Sequence, residues 1–195
     1  GCVLELRKEY LKVRESYGKG NQSFLCSISL GGMVALEWLR AFPEDFKCGI
    51  VMNTSAGNIS SLLKRIKIEG LLNLTKAIKE VNKRERERNT FRLVSNRTVD
   101  EKIVDEWNHY AEEVAPDKKN FFRQLQAAFS FKVSDGIQVP ILFLASKRDR
   151  MVDFKCSEEL ASFLNASIEY NLDAGHDMTL DDPKWVIKKM RDFEL

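Results

Sequence analysis

A chain of 195 residues suits one domain, or one domain carrying an insertion, and 44% hydrophobic residues are enough for a real core. Basic side chains number 31 against 29 acidic, and the resulting net charge of +2 gives no global electrostatic case for nucleic acid or membrane. No apolar run approaches the roughly 20 residues of a membrane-spanning helix, and the opening residues lack the basic-then-apolar layout of a secretory leader. Cys2, Cys26, Cys48 and Cys156 are scattered without Cys-x-x-Cys spacing, which points to a reducing, cytoplasmic setting with neither disulfides nor a metal site. In that setting Asn-x-Ser/Thr matches such as Asn53-Thr54-Ser55 are chance.

Taken in order, Leu4 to Tyr17 carries Leu4, Leu6, Tyr10, Leu11 and Val13 among charged residues, the pattern of an amphipathic surface helix. Gly18-Lys19-Gly20-Asn21 is a loop; because it follows a helix and precedes a strand, it is not a dinucleotide-binding loop. Phe24 to Ile28 is a short apolar strand, stopped at Ser29. Gly31, Gly32 and an amphipathic helix to about Phe42 follow at once, with Pro43 closing it. Strand, tight turn and helix make a nucleophile elbow, which holds a serine hydroxyl exposed at the carboxyl end of a buried strand. The usual pattern is Gly-x-Ser-x-Gly, and here it is Ser27-Ile28-Ser29-Leu30-Gly31. Small residues are expected two before and two after Ser29, where strand and helix cross closely. The competing reading of Ser29 is a plain helix N-cap.

Cys48 to Asn53 is a second buried strand, Val139 to Ala145 a third and Ser167 to Leu172 a fourth. A helix begins near Ser157, and the last helix opens with Asp182 as N-cap and Pro183 at its first position. That helix is expected to turn Trp185, Ile187, Met190 and Phe193 inward. Apolar strands alternating with helices imply an α/β fold with a parallel sheet covered on both faces. Residues 57–138 interrupt the alternation with helical, strand-poor sequence, so a helical cap or lid is expected between core segments 1–56 and 139–195. Within it, Thr98-Val99-Asp100-Glu101 has the form of a capping box, and Lys83 to Arg88 interleaves its signs as a solvated helix face does.

Serine needs a base to take its proton, and the base needs an acid to orient it. The chain has two histidines. His109 lies mid-helix in the helical segment, where an ordinary helix position is the better reading. His176 lies in Asp173-Ala174-Gly175-His176-Asp177, after the fourth strand and therefore at the sheet edge that also presents Ser29. The loop after the third strand supplies Asp149, with Asp153 as the runner-up acid. The order Ser29, Asp149, His176 is the nucleophile–acid–base order of one fold.

These segments, together with Ile50 to Ala56, Leu142 to Val152 and Asp181-Asp182-Pro183, resemble the α/β-hydrolase-fold superfamily, in particular its lid-bearing bacterial hydrolases and acyltransferases. The resemblance implies Ser29 as nucleophile, Asp149 as orienting acid, His176 as base and the backbone N–H of Leu30 as half of an oxyanion hole. It implies a small-molecule acyl substrate and no cofactor or metal. Phe121, Phe122, Phe129 and Phe131 would shape an apolar acyl pocket, or else pack the lid on the core. The family's sheet extends beyond the four strands found here, and nothing before Ser29 resembles the loop that gives the second oxyanion N–H. The expectation is therefore the carboxyl-terminal part of a longer protein or a truncated frame, lacking roughly 60 to 80 residues of an ordinary domain. Otherwise a homodimer or partner chain would cover the exposed strand edge. A non-catalytic binding module of the same fold is the alternative in a different class.

Overall fold

The computed structural model describes residues 2–17, 23–113 and 118–194. The Gly18–Asn21 loop lies outside the described residues. Helix α1 (Cys2–Ser16) leads to strand β1 (Phe24–Ile28), helix α2 (Leu30–Ala41), a single 3₁₀ turn (Pro43–Asp45) and strand β2 (Cys48–Met52). Five helices follow: α3 (Leu62–Arg65), α4 (Ile68–Lys79), α5 (Lys83–Val94), α6 (Glu101–Glu113) and α7 (Lys118–Ser130). The chain then returns through β3 (Ile141–Ser146), α8 (Lys155–Phe163), β4 (Ser167–Asn171), α9 (Met178–Asp181) and α10 (Pro183–Glu194). The strands form one parallel sheet in the order β1-β2-β3-β4. The fold is α/β with a four-stranded sheet.

Alternation along the two central strands explains why both faces are covered. Val51, Ile141 and Phe143 face Leu36, Leu39 and Leu160, the side of α2 and α8. Ile50, Met52, Leu142 and Leu144 face Met178 and Val186, the side of α9 and α10. Each such buried aliphatic or aromatic side chain contributes about 1.5–3 kcal/mol. A strand buried on both faces needs apolar side chains on both, which is why β2 and the Ile141–Ala145 part of β3 are unbroken apolar runs. Strand β1 is an outer strand, pairing with β2 along Phe24 to Ile28, with Cys26 exposed.

Several local expectations are corrected. Leu4, Leu6 and Val13 of α1 are exposed; the helix is held by Val3 and Tyr10 against the core and by Arg7, whose guanidinium grips Asp45 at 2.6 and 3.0 Å. In α10, Val186 is buried while Ile187 points out. Trp185, Met190 and Phe193 do pack on the core. Asp100 rather than Thr98 caps α6: its carbonyl accepts from Val104 N and its carboxylate from Lys102 N. The charged run of α5 is half-buried, because Arg84 reaches Asp105 at 2.6 Å and Glu101 at 2.7 Å, and Arg88 reaches the same Glu101 at 2.7 Å. The ion pairs themselves are exposed and link α5 to α6 across a solvated face. Among the described residues no helix is long and apolar enough to cross a membrane.

Candidate active site

Parallel pairing puts the carboxyl ends of all four strands on one edge, and the turns that leave β1, β3 and β4 hold the candidate residues Ser29, Asp149 and His176. Ser29 leaves β1 with φ 54° and ψ −121°. A positive φ on a residue with a Cβ costs on the order of 1–3 kcal/mol and persists only where neighbours enforce it. Here Ser29 N donates to Met52 O at 2.9 Å, and Ser29 O accepts from Thr54 Oγ1 at 2.7 Å and from Gly32 N at 3.0 Å. Although Ser29 stands at the N-cap of α2, its hydroxyl makes no capping bond. The plain capping role is therefore not what holds this serine. Leu30 heads α2, so its N–H has no acceptor within the helix.

The close crossing expected around the serine is tight at a different glycine. A Cβ on Gly32 would come within 2.7 Å of Thr54 Cβ and 3.0 Å of Val51 Cγ1. One on Gly31 would meet only Ser27 Cβ, at 4.0 Å, an ordinary contact. Ser27 itself fits because its hydroxyl finds Ile50 O at 3.2 Å.

His176 and Asp149 come together from the loops after β4 and β3. His176 Nδ1 lies 2.7 Å from Asp149 Oδ2, and both residues are buried. Asp149 Oδ1 accepts from Met151 N at 2.7 Å and Val152 N at 3.0 Å, which fixes the carboxylate within its own turn. With Asp149 bonded to Nδ1, Nε2 is left without a hydrogen bond among the described residues. Asp153 instead accepts from Lys155 N at the start of α8 and does not touch the histidine. Among the described residues neither Ser29 Oγ nor His176 Nε2 makes a hydrogen bond, so the serine and the histidine are not joined here. His109 lies exposed on α6, 3.4 Å from Glu113.

Three supporting residues lie in segments that carried the resemblance but had no role assigned to them. Asn53, at φ 44°, follows β2 and accepts from Ser146 N at 2.8 Å; its amide donates to Ser146 Oγ at 3.0 Å and His176 O at 2.7 Å. It joins the ends of β2 and β3 to the histidine loop. Thr54 holds the serine carbonyl, as above. Asp181 accepts from Gly175 N at 2.6 Å, Asn96 N at 2.9 Å and the Ser95 hydroxyl, so it ties the histidine loop to the turn between α5 and α6. An asparagine directly after a strand, tolerant of positive φ, was the one available signal.

Ser29, Leu30 and Met33 line a cavity of about 220 Å³ whose other walls include Leu74 of α4, Phe121, Leu125 and Phe129 of α7, and Met151 and Val152 of the acid loop. His176 contributes no lining to it. Of the other two phenylalanines, Phe122 is exposed and Phe131 packs on the core. Among the described residues no group of acidic, cysteine or histidine side chains could hold a metal ion.

Comparison with solved structures gives the same architecture. The Lip1 protein of Acinetobacter baumannii AYE superposes with a TM-score of 0.72 at 18% identity, over 98% of this chain and 66% of its own. An α/β fold family hydrolase from Bacillus anthracis str. Sterne gives 0.70 at 17% identity, over 97% and 73%. The esterase RhEst1 from Rhodococcus sp. ECU1013 gives 0.65 at 16%, over 93% and 68%. At such identities the likeness is one of fold, and the chain spans just under two thirds of the Lip1 length. A search of curated protein sequences finds no match. The family model described as serine aminopeptidase, S33 (Hydrolase_4), matches residues 5–182, which takes in the serine turn, the acid loop and the histidine loop. The chain belongs to that family, with the α/β-hydrolase fold.

Proposed function

We propose that the protein is a serine hydrolase acting on an ester, thioester or related acyl compound through Ser29, His176 and Asp149. The observation that carries this reading is a serine held at positive φ at the head of α2, lining an apolar cavity, with its hydroxyl unspent on capping. A structural serine has no reason to sit under that strain with a free hydroxyl. The Asp149–His176 pair at the same sheet edge supplies the base and its orienter.

In the proposed reaction His176 Nε2 takes the Ser29 proton as Oγ attacks the acyl carbon, and Leu30 N–H stabilises the developing oxyanion. The tetrahedral adduct collapses to an acyl-serine, and His176 returns the proton to the departing alcohol or thiol. Water, deprotonated by the same imidazole, then releases the carboxylic acid and restores Ser29. Asp149 stays ionised throughout, fixing the tautomer and stabilising the imidazolium. The Ser29–His176 hydrogen bond closes on substrate binding, as catalytic bonds in free enzymes tighten in the complex. Residues 57–138 would act as a helical lid on the core formed by 1–56 and 139–195, contributing Leu74, Phe121 and Phe129 to the acyl pocket.

Labelling with a fluorophosphonate probe, read by intact mass, tests the proposal. One adduct is expected on the unaltered chain and none on Ser29→Ala or His176→Ala. A well-folded chain that takes no adduct would reduce the protein to a non-catalytic member of its fold.

A further inference from the structure

The cavity beside Ser29 is walled mostly by Leu, Ile, Met, Val and Phe, yet among its described lining residues there is one charged side chain, Arg65. Arg65 ends α3 and is half-buried. Its guanidinium lies over Gly57, where a Cβ would come within 2.8 Å of Nη1. It donates to Ser55 Oγ at 3.3 Å and to two carbonyls of the last turn of α7, Phe129 O at 3.1 Å and Ala128 O. A guanidinium has five N–H groups, so two remain.

No carboxylate among the described residues pairs with it, although the adjacent Lys64 has Glu159. Burial pulls its pKa below the ordinary arginine value, the mark of a cation without a counter-charge. The α7 carbonyls offer only the partial charge of a helix end, about half an elementary charge. An unpaired cation in an apolar cavity is costly unless an anion is brought to it. Arginine suits that task because its planar fork matches a carboxylate.

We propose that Arg65 forms an anion subsite and that the acyl substrate carries a carboxylate on an apolar body. The inference rests on the hydrolase reading for the word substrate, though not for the binding itself. Ser55 and Gln124, which also line the cavity, are placed to share the recognition.

The test is calorimetric titration of the Ser29→Ala protein with 4-phenylbutyrate and with its neutral amide, repeated in Arg65→Gln and Arg65→Lys backgrounds. With Arg65 present the carboxylate should bind about tenfold tighter than the amide, the advantage of a charge-assisted over a neutral hydrogen bond. Arg65→Gln should erase that ratio and leave amide affinity unchanged, while Arg65→Lys keeps part of it. Equal affinities, a preference that survives Arg65→Gln, or an equal loss for both compounds would each overturn the subsite, the last by reducing Arg65 to a clamp on α7. Absence of binding by either compound at millimolar concentration would overturn it too. Fluorophosphonate labelling separates the two ideas: an adduct without anion preference sinks the subsite alone, and anion preference without an adduct sinks the hydrolase alone.

Discussion

The serine turn makes a sharp prediction about its two glycines. The motif convention places the demand for a glycine at the second residue after the serine, Gly31, but the packing places it at Gly32. An added methyl at Gly32 would meet Thr54 Cβ at 2.7 Å, Thr54 Oγ1 at 2.9 Å and Val51 Cγ1 at 3.0 Å. Neither neighbour can retreat, since Val51 and Thr54 are both fully buried. Overpacking of this kind costs about 1–3 kcal/mol. Each kcal/mol lowers Tm by about 2–4 °C in a chain of this size. At Gly31 the nearest atom is 4.0 Å away, and alanine is the better helix former, so Gly31→Ala should be neutral or stabilising by up to about 1 kcal/mol. Thr54 Oγ1 also holds the Ser29 carbonyl, so Gly32→Ala should slow fluorophosphonate labelling as well as lower Tm. Thermal melts and labelling rates of the two variants, side by side, decide the matter. A Gly31→Ala protein less stable than Gly32→Ala would refute the packing argument.

Other expectations follow from the same geometry. Asp149→Asn should keep the fold by circular dichroism yet slow labelling of Ser29 on the order of 10³–10⁴-fold, as loss of the orienting carboxylate does in other triads; a change below tenfold would remove Asp149 from the mechanism. Asn53→Ala leaves Ser146 N and His176 O without their partner and puts alanine at φ 44°, so urea denaturation should show a loss of about 2–4 kcal/mol. Burial alone would raise the Asp45 carboxyl, but hydrogen bonds from Arg7 and Trp38 hold it below its ordinary value. Its stabilisation is therefore complete above the ordinary carboxylate range, near pH 4, and is lost as pH falls through the depressed value. Asp45→Asn should flatten the acid limb of the stability curve. The Cys156 thiol, pushed up to about 11 chiefly by burial, should resist iodoacetamide at pH 8 until the protein unfolds, while exposed Cys2 reacts in the native state.

The sheet was legible because its physics is local. Strands β2 and β3 are buried on both faces and are apolar up to Ser146, a pattern that any reading of the chain picks up. What failed were choices of face and of end. Ile187 and Val186 are adjacent and both apolar, and only the position of α10 over Met52 and Leu144 decides which turns inward. Thr98 and Asp100 both cap helices well, and the choice between them rests on where α6 starts. The α5 ion pairs are exposed, but the pairing could not be read because the partners, Glu101 and Asp105, lie on the next helix.

The same distinction runs through the site. Ser29, Asp149 and His176 could be picked out because each has rare chemistry and each follows a strand of a parallel sheet, so one topological rule brings them to one edge. Asn53 follows β2 and so obeys the same rule, but its amide is common chemistry; Asp181, inside α9, obeys no such rule. Asn53 bonds Ser146 across 93 positions of sequence and Asp181 bonds Ser95 across 86, so their partners could not be read locally. Their physical role differs accordingly. On the proposed mechanism, removing Ser29 Oγ would abolish chemistry and leave buried partners satisfied. Removing Asn53 strands polar groups that no water reaches, which costs stability before it costs rate. Loss of labelling together with loss of stability is therefore the signature of a residue that supports His176, and loss of labelling alone is the signature of one that reacts.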